Sequence, residues 1–237
     1  PVSLPLGPRF DVKYTVVFIM NKYNQEIIDK TIEYVKKTLS GESSGHDWWH
    51  IFRVWKNAKH ILQTENDADR FVVELAVLLH DIQDWKFSND ELEGDRIIKK
   101  WLLDLGVDKK IIVHICDIVA NVSYKGADVK SKILTEGKIV QDADRLDAIG
   151  AIGIGRAFAY GGNKGKEMHN PEIKSDLHDY VEKSKSNKGT TINHFYEKLL
   201  LLTDLMNTKS AKNIAKKRHK FMELYLDQFY REWNGVA

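Results

Sequence analysis

Apolar residues recur along most of the chain at intervals of three and four, the spacing that places them on one face of an α-helix. The pattern predicts helices over about residues 24–39, 47–62, 69–82, 91–105, 108–121, 138–160, 192–206 and 208–233. Glycine or polar residues follow several of these segments, as at Ser40-Gly41 and Gly106, where a helix is expected to end. No segment alternates apolar and polar residues over the length of a strand, so we predict an all-α protein.

The first 19 residues differ from the rest, since they hold three of the four prolines and a short apolar patch over residues 14–19. The patch is too short to span a bilayer, and the flanking pattern of a signal peptide is absent. We therefore divide the chain into an N-terminal extension, residues 1–19, and one domain, residues 20–237. The alternatives are a functional arm, or a strand or extended segment that packs on a neighbouring subunit.

A polar segment over residues 161–188 begins with Gly161-Gly162-Asn163-Lys164-Gly165. It is not a phosphate-binding P-loop, because Tyr160 stands where the first glycine should be and Glu167 follows Lys166. A connection of this length in a compact domain is typical of a lid or a binding loop.

Composition narrows the class of protein. The chain has 36 Lys and Arg against 34 Asp and Glu, a net charge of +2, and the two signs are mixed along its length. A main role in binding nucleic acid, or a membrane, is therefore not expected. The single Cys116 allows no internal disulfide, which favours a reducing, cytoplasmic compartment.

The most distinctive chemical feature is the pair His80-Asp81, which ends a strongly apolar helix. A histidine and a carboxylate rarely end a buried helix without a partner. His50 and Asp144 lie on two other predicted helices. If these four side chains converge, they offer two nitrogen and two oxygen ligands, a set that suits catalytic Mn²⁺, Mg²⁺, Co²⁺, Fe²⁺ or Zn²⁺.

The order His50-x-x-Arg53, His80-Asp81 and Asp144 resembles that of the HD superfamily of metal-dependent phosphohydrolases. The longer strings over residues 46–54, 79–84, 141–148, 158–162 and 192–199 are similar to the small YpgQ/YedJ-like HD proteins, and the resemblance runs from about residue 24 to 233. It implies a single compact multi-helix HD-domain bundle that binds one divalent metal ion, with Mn or Mg favoured. The implied metal ligands are His50, His80, Asp81 and Asp144.

Two aspartates compete for the fourth ligand position. The family's ligand directly precedes a lysine or arginine, which favours Asp144, before Arg145, over Asp142. Asp142 is interpreted as a helix cap, as is Asp47 ahead of the helix that holds His50.

Asp84 lies three residues beyond Asp81, where related HD nucleotidases carry a catalytic carboxylate. Its functional role would be general acid or base at a metal-bound water. The alternative is a carboxylate that orients a ligand histidine.

Basic residues near the proposed ligands would neutralise the oxygens of a phosphate chain. Arg53 and Arg145 share helical turns with ligands and are favoured, with Arg145 assigned to catalysis. Lys86 and Lys125 could bind substrate or be solvated surface residues, and His194 could contact a phosphate or be a hydrogen-bonded structural histidine.

The resemblance implies a phosphohydrolase that uses metal-activated water to cleave nucleoside or deoxynucleoside triphosphates to monophosphate and pyrophosphate. The alternatives are a 5′-nucleotidase, a phosphodiesterase of cyclic or signalling nucleotides, or a non-catalytic protein that binds metal or nucleotide. The expected partner is a small phosphate ester. The last predicted helix could pair two copies into a homodimer or complete the intramolecular core through one apolar stripe, formed by Phe221, Leu224, Tyr225, Phe229 and Tyr230.

Overall fold

A computed structural model describes residues 12–41, 47–82, 91–122, 134–175 and 189–236 of the chain. These residues form nine α-helices and one short 3-10 helix, and none of them lies in a β-strand, so the all-α prediction is confirmed. The helices are α1 (Val12–Thr38), α2 (Trp48–Ile61), α3 (Arg70–Leu79), α4 (Glu91–Asp104), α5 (Lys109–Val122), α6 (Thr135–Asp147), α7 (Gly150–Asn163), α8 (Thr191–Glu197) and α9 (Lys209–Trp233), with the 3-10 helix (Leu199–Thr203) between the last two.

Helix α3 forms the centre of the bundle. Every residue from Phe71 to Leu79 is buried, and α1, α2, α5 and α6 pack around it. A helix that is apolar on all sides is stable only when other elements cover it completely. The C-terminal end of α3, where His80 and Asp81 follow, therefore lies inside the protein.

Helix α1 begins earlier than the periodicity predicts. It runs from Val12, so residues 12–19 are helical and do not form the strand or extended segment considered as an alternative. The side chains of Ile19 and Met20 are exposed.

The helix predicted over residues 138–160 is two helices, α6 and α7, so the prediction of one continuous helix is wrong. The break comes at Ile149, whose backbone is extended, and at Gly150, whose φ is +79°. A β-carbon on Gly150 would lie 2.9 Å from Cγ of Arg218, so glycine serves both the turn and the close approach of α9. The turn gives α6 and α7 separate directions, and both reach the candidate site.

Asp142 does not cap its own helix, because it lies within α6 and is fully buried. Its carboxylate accepts hydrogen bonds from the backbone amides of Asn207 (2.8 Å) and Thr208 (2.7 Å). Thr208 is the N-cap of α9. The prediction of a cap is therefore wrong for α6, and the carboxylate instead fixes the start of α9.

The predicted helix over residues 192–206 is also interrupted, since α8 ends at Glu197 and Lys198 leaves helical geometry before the 3-10 helix. The predicted stripe on α9 is divided: Tyr225, Phe229 and Tyr230 are half-buried and pack against the core, whereas Phe221 and Leu224 are exposed. The fully buried face of α9 is formed instead by residues outside that stripe, Met222 and Leu226 among them. Among the described helices, none is long and apolar enough to cross a membrane.

Candidate metal centre

Helix α2 brings His50 to the centre of the site. Asp47 caps the helix by accepting a hydrogen bond from the backbone amide of His50 at 2.9 Å, which confirms its predicted role. The cap sets where the helix begins and so places His50 in its first turn. Farther along the same face, Asn57 donates to the carbonyl oxygen of Ala143 at 3.2 Å and holds α2 against α6.

His80 and Asp81 follow directly after α3 and are both buried. His80 Nδ1 lies 2.8 Å from the carbonyl oxygen of Val77. Because a carbonyl can only accept, Nδ1 carries the proton and Nε2 presents its lone pair. His80 Nε2 is buried and makes no hydrogen bond to any described residue, as expected of an atom that has a metal as its partner.

Asp144 on α6 completes the set of four. Its Oδ1 lies 3.5 Å from His50 Nε2 and 3.9 Å from His80 Nε2. Asp81 lies between the same rings, with Oδ2 3.2 Å from His50 Nε2 and Oδ1 3.3 Å from His80 Nε2. The side chain of Asp144 is 34% exposed, so the site opens to solvent on this side.

These distances fit one divalent cation. His50, His80 and Asp144 each offer a ligand atom, and these atoms lie within 4.8 Å of one another. Ligands held about 2.0–2.2 Å from a common ion come about this close to each other. Two imidazole nitrogens and two carboxylates also form a donor set that transition-metal ions and Mg²⁺ accept.

Asp147 contacts the Nδ1 side of the ring of His50, a candidate ligand. One of its oxygens, Oδ2, accepts from His50 Nδ1 (2.8 Å), Arg53 (3.0 Å) and Arg156 (2.7 Å), while Oδ1 accepts from Arg53 Nε at 2.7 Å. Burial opposes the charge of Asp147, but these hydrogen bonds and positive charges lower its pKa well below the usual range. The carboxylate keeps the proton of His50 on Nδ1 and leaves Nε2 facing Asp81 and Asp144.

His50 itself lies in a strongly negative environment. Burial disfavours the imidazolium, yet the hydrogen bonds and charges of Asp147, Asp81 and Asp144 raise the pKa of His50 to about 9. A site that stabilises a proton on Nε2 this strongly is built to hold positive charge there.

Two basic residues, Arg156 and Lys198, interact with carboxylates of the cluster, and His194 lies near Lys198. Arg156, from α7, reaches Asp147, and Lys198 follows α8. Burial lowers the pKa of Lys198, while the negative charge of Asp144 opposes this shift, so the two charges are near enough to interact. Burial and the charges of Lys198 and Lys166 lower the pKa of His194 to about 4.

The arginines predicted to contact substrate have specific partners in the protein. Arg53 donates two hydrogen bonds to Asp147, from Nε and from Nη2, and the side chain of Arg53 is 31% exposed. Arg145 donates a short hydrogen bond to the carbonyl oxygen of Leu205, which joins α6 to the turn before α9. Asp84, Lys86 and Lys125 lie outside the described residues.

Comparison with known proteins places this arrangement in a family. The HD domain family matches residues 48–149. The YpgQ protein of Bacillus subtilis (strain 168) is 37% identical over 205 residues, which cover 86% of this chain and 92% of YpgQ. The chain belongs to the HD superfamily.

Solved structures of HD proteins share the fold over nearly the whole chain. An HD-superfamily hydrolase from Bacillus thuringiensis is 44% identical and superimposes with a TM-score of 0.71, covering 89% of this chain and 98% of that one. Bacillus subtilis YpgQ in complex with ADP is 34% identical with a TM-score of 0.70, covering 89% and 96%. The protein is thus an HD-superfamily hydrolase, in general class a metal-dependent phosphohydrolase. HD domains bind divalent metals, and His50, His80 and Asp144 form a candidate site for one.

From the sequence, no role was assigned to Asp147, Arg156 or Lys198, although the position of each in the sequence could have pointed to one. Asp147 follows Asp144 by three residues and therefore shares its helical face. Arg156 is the one charged residue of α7, a helix otherwise built mostly from glycine, alanine and apolar residues. Lys198 follows His194 by four residues.

Proposed function

We propose that this HD protein hydrolyses nucleoside or deoxynucleoside triphosphates to monophosphate and pyrophosphate with a divalent metal ion, Mn²⁺ or Mg²⁺. The observation that carries the proposal is the placement of basic side chains beside a candidate metal site. Arg156 donates to Asp147 at 2.7 Å within the cluster, and Lys198 is near enough to Asp144 for their charges to interact. Acidic ligands for a cation next to cations for a phosphate chain are what phosphoryl hydrolysis requires.

A nucleotide substrate is supported by the relative YpgQ, whose crystal structure contains ADP. ADP consists of a nucleoside and a phosphate chain, so we expect the candidate site of this chain, which shares the fold of YpgQ, to bind a molecule of the same class. Asp144, the one candidate ligand that is not buried, leaves an approach for a phosphate chain, and its charge interacts with that of Lys198.

In this mechanism His50, His80, Asp81 and Asp144 hold the cation. A bound divalent metal supplies Lewis-acid polarisation of a phosphoryl oxygen and lowers the pKa of water. Hydrogen bonds within the chain orient the two rings whose Nε2 atoms would bind the metal: Asp147 accepts from the His50 ring, and the Val77 carbonyl accepts from the His80 ring.

In this proposal Lys198, His194 and Arg156 bind the phosphate oxygens and the departing pyrophosphate. A partly buried ammonium group is less hydrated than an exposed one, so it binds an anion more strongly. The roles predicted for Arg53, Arg145, Lys86 and Lys125 in substrate binding or catalysis, and for Asp84 as general acid or base, are part of the same proposal.

The test measures the products, nucleotides included, released from a panel of nucleoside and deoxynucleoside mono- and triphosphates and cyclic nucleotides. Purified protein is assayed with Mn²⁺, Mg²⁺ or Co²⁺ and with chelator, beside Asp81→Ala, and pyrophosphate and orthophosphate are quantified separately. We expect metal-dependent pyrophosphate release that Asp81→Ala abolishes. Orthophosphate alone would identify a nucleotidase. Turnover of cyclic nucleotides alone would identify a phosphodiesterase, and metal binding without any turnover would identify a binding protein.

A further inference from the structure

A loop over residues 166–173 runs from the end of α7 across the N-terminus of α8. The carbonyl oxygens of Glu167 and Met168 accept hydrogen bonds from the backbone amides of Thr191 (3.0 Å) and Ile192 (3.1 Å). These amides belong to the first turn of α8, where backbone N–H groups have no partner inside the helix. The loop therefore supplies part of the capping on which this seven-residue helix depends.

Other contacts show that loop and helix form one unit. Thr190 accepts from the amide of Asn193 at 3.1 Å and completes the cap. The Asn193 side chain in turn donates to the carbonyl oxygen of Ile173 at 2.9 Å. Both ends of the loop are thus tied to the first turn of α8, and a displacement of the loop would remove several of its hydrogen bonds together.

His169, at the middle of the loop, is held by an aromatic box on α9 formed by Phe229, Tyr230 and Trp233. Its ring centroid lies 5.8, 5.4 and 4.8 Å from theirs, with interplanar angles of 82°, 79° and 78°. Edge-to-face contacts at these separations are favourable. His169 Nδ1 is buried and makes no hydrogen bond within the described ranges, so ring packing is what the structure offers to hold it.

The helix that the loop caps carries two residues of the proposed phosphate-binding group. His194 lies in α8, and Lys198, which directly follows it, is near enough to Asp144 for their charges to interact. The loop residue Lys166 is also near enough for its charge to act on His194. The position of the loop therefore sets the position of three positive or protonatable groups at once.

We propose that His169 is a positioning residue: docked in the aromatic box, it holds the 166–173 loop on α8 and so fixes His194 and Lys198 where they bind the phosphate chain. The expected effect on turnover rests on the proposed function, whereas the positioning of α8 by His169 does not depend on turnover. The ligand class is an inorganic or nucleotide-borne phosphate chain.

The test compares His169→Ala with His169→Phe, which keeps a ring in the box, and with His219→Ala. His219 is the control histidine: it lies on α9 itself, pairs with Glu223 one turn along the same helix at 3.4 Å, and stands outside the box. Hydrogen exchange is followed over residues 189–198, and affinity for inorganic triphosphate is measured with Mg²⁺ present. Metal affinity and the kcat and KM of the best nucleotide complete the set.

We expect exchange at the Thr191 and Ile192 amides to become at least about tenfold faster in His169→Ala. Triphosphate affinity should fall roughly tenfold, and KM should rise by a similar factor, because misplaced binding groups lose their fit to the ligand. Metal affinity and kcat should change less than about threefold, and His169→Phe should recover most of the loss.

Unchanged exchange in His169→Ala would overturn the positioning role. Faster exchange with unaltered triphosphate affinity would overturn the link between α8 and phosphate binding. An equal loss in the alanine and phenylalanine variants, spread over the whole protein, would show general destabilisation instead. If triphosphate binding responds as expected while no variant hydrolyses nucleotides, the positioning proposal is supported and the proposed function fails.

Discussion

Asp147→Asn is the change that best tests the architecture of the metal centre. The carboxylate is 2% exposed and accepts hydrogen bonds from His50, Arg53 and Arg156. The amide has nearly the same shape but lacks the negative charge and presents an NH₂ group where one oxygen was. At least one of the converging donors then faces another donor, and His50 loses the charged acceptor that fixes its tautomer.

Two magnitudes follow from these contacts. Breaking a buried charge pair by removing one partner costs about 3–5 kcal/mol. Arg53 and Arg156 are 31% and 25% exposed and can reach water, so we expect the lower end, about 3 kcal/mol, in the free energy of unfolding. Loss of a carboxylate behind a ligand histidine typically lowers metal affinity about 10–100-fold.

The assay pairs urea unfolding of the metal-free protein with calorimetric titration of Mn²⁺ or Mg²⁺. Titration at several pH values separates metal affinity from competition by the proton at His50, whose pKa is about 9. Glu74→Gln is the matched control. Glu74 is another buried carboxylate that binds Trp55 (2.8 Å) and Arg70 (2.7 Å), and it takes no part in the metal cluster.

We expect both variants to be destabilised and only Asp147→Asn to lose metal affinity. Equal metal affinity in the two variants, within about threefold, would refute the reasoning that Asp147 orients His50 for a cation. Unaltered stability of Asp147→Asn would refute the description of its hydrogen bonds.

Three further changes test other parts of the site. The pKa of His194, about 4, lies below its ordinary value of 6.5, so the unfolded chain binds a proton more readily and the free energy of unfolding falls as pH drops from 7 to 5. His194→Gln should remove roughly 1–2 kcal/mol of that fall when urea unfolding is measured across this pH range. An identical pH profile in the variant would contradict this. Lys198→Met should raise the KM for a triphosphate about 10–100-fold and leave metal affinity unchanged, as measured by steady-state kinetics and metal titration. An unchanged KM would show that Lys198 does not contact the substrate. Gly161→Ala would place a β-carbon 2.2 Å from Thr191 Oγ1 and should lower the free energy of unfolding by about 1–3 kcal/mol. In Gly162→Ala the new β-carbon meets nothing within 4 Å, so this control should be neutral or stabilising. Equal effects of the two substitutions would disprove the close packing of α7 on α8.

Local patterns predicted most helices because they depend on neighbours in the chain. The spacing of apolar residues on α2, α3 and α5 and the cap at Asp47 are properties of short segments, and the structure confirms them. The pattern failed where a tertiary contact overrides it. At Gly150 the periodicity continues, but the positive φ and the close approach of Arg218 divide the segment into α6 and α7.

The candidate ligands His50, His80, Asp81 and Asp144 could be named from the order of their motifs. Their convergence could not be read from that order, because it depends on how α2, α3 and α6 pack. The structure places their ligand atoms within a few ångströms of one another, and whether they bind a metal stays a prediction for the titrations above.

The sequence by itself thus determined the all-α class, the capping of α2 and the identity of the residues to examine. Only the tertiary structure decided how their charges are shared. His50 and Arg53 meet Asp147 across 97 and 94 residues of chain, and Arg145 donates to the carbonyl oxygen of Leu205. The physical reason is that helix periodicity and capping act over one turn, whereas a buried hydrogen bond between distant residues exists only after the helices that carry them have packed.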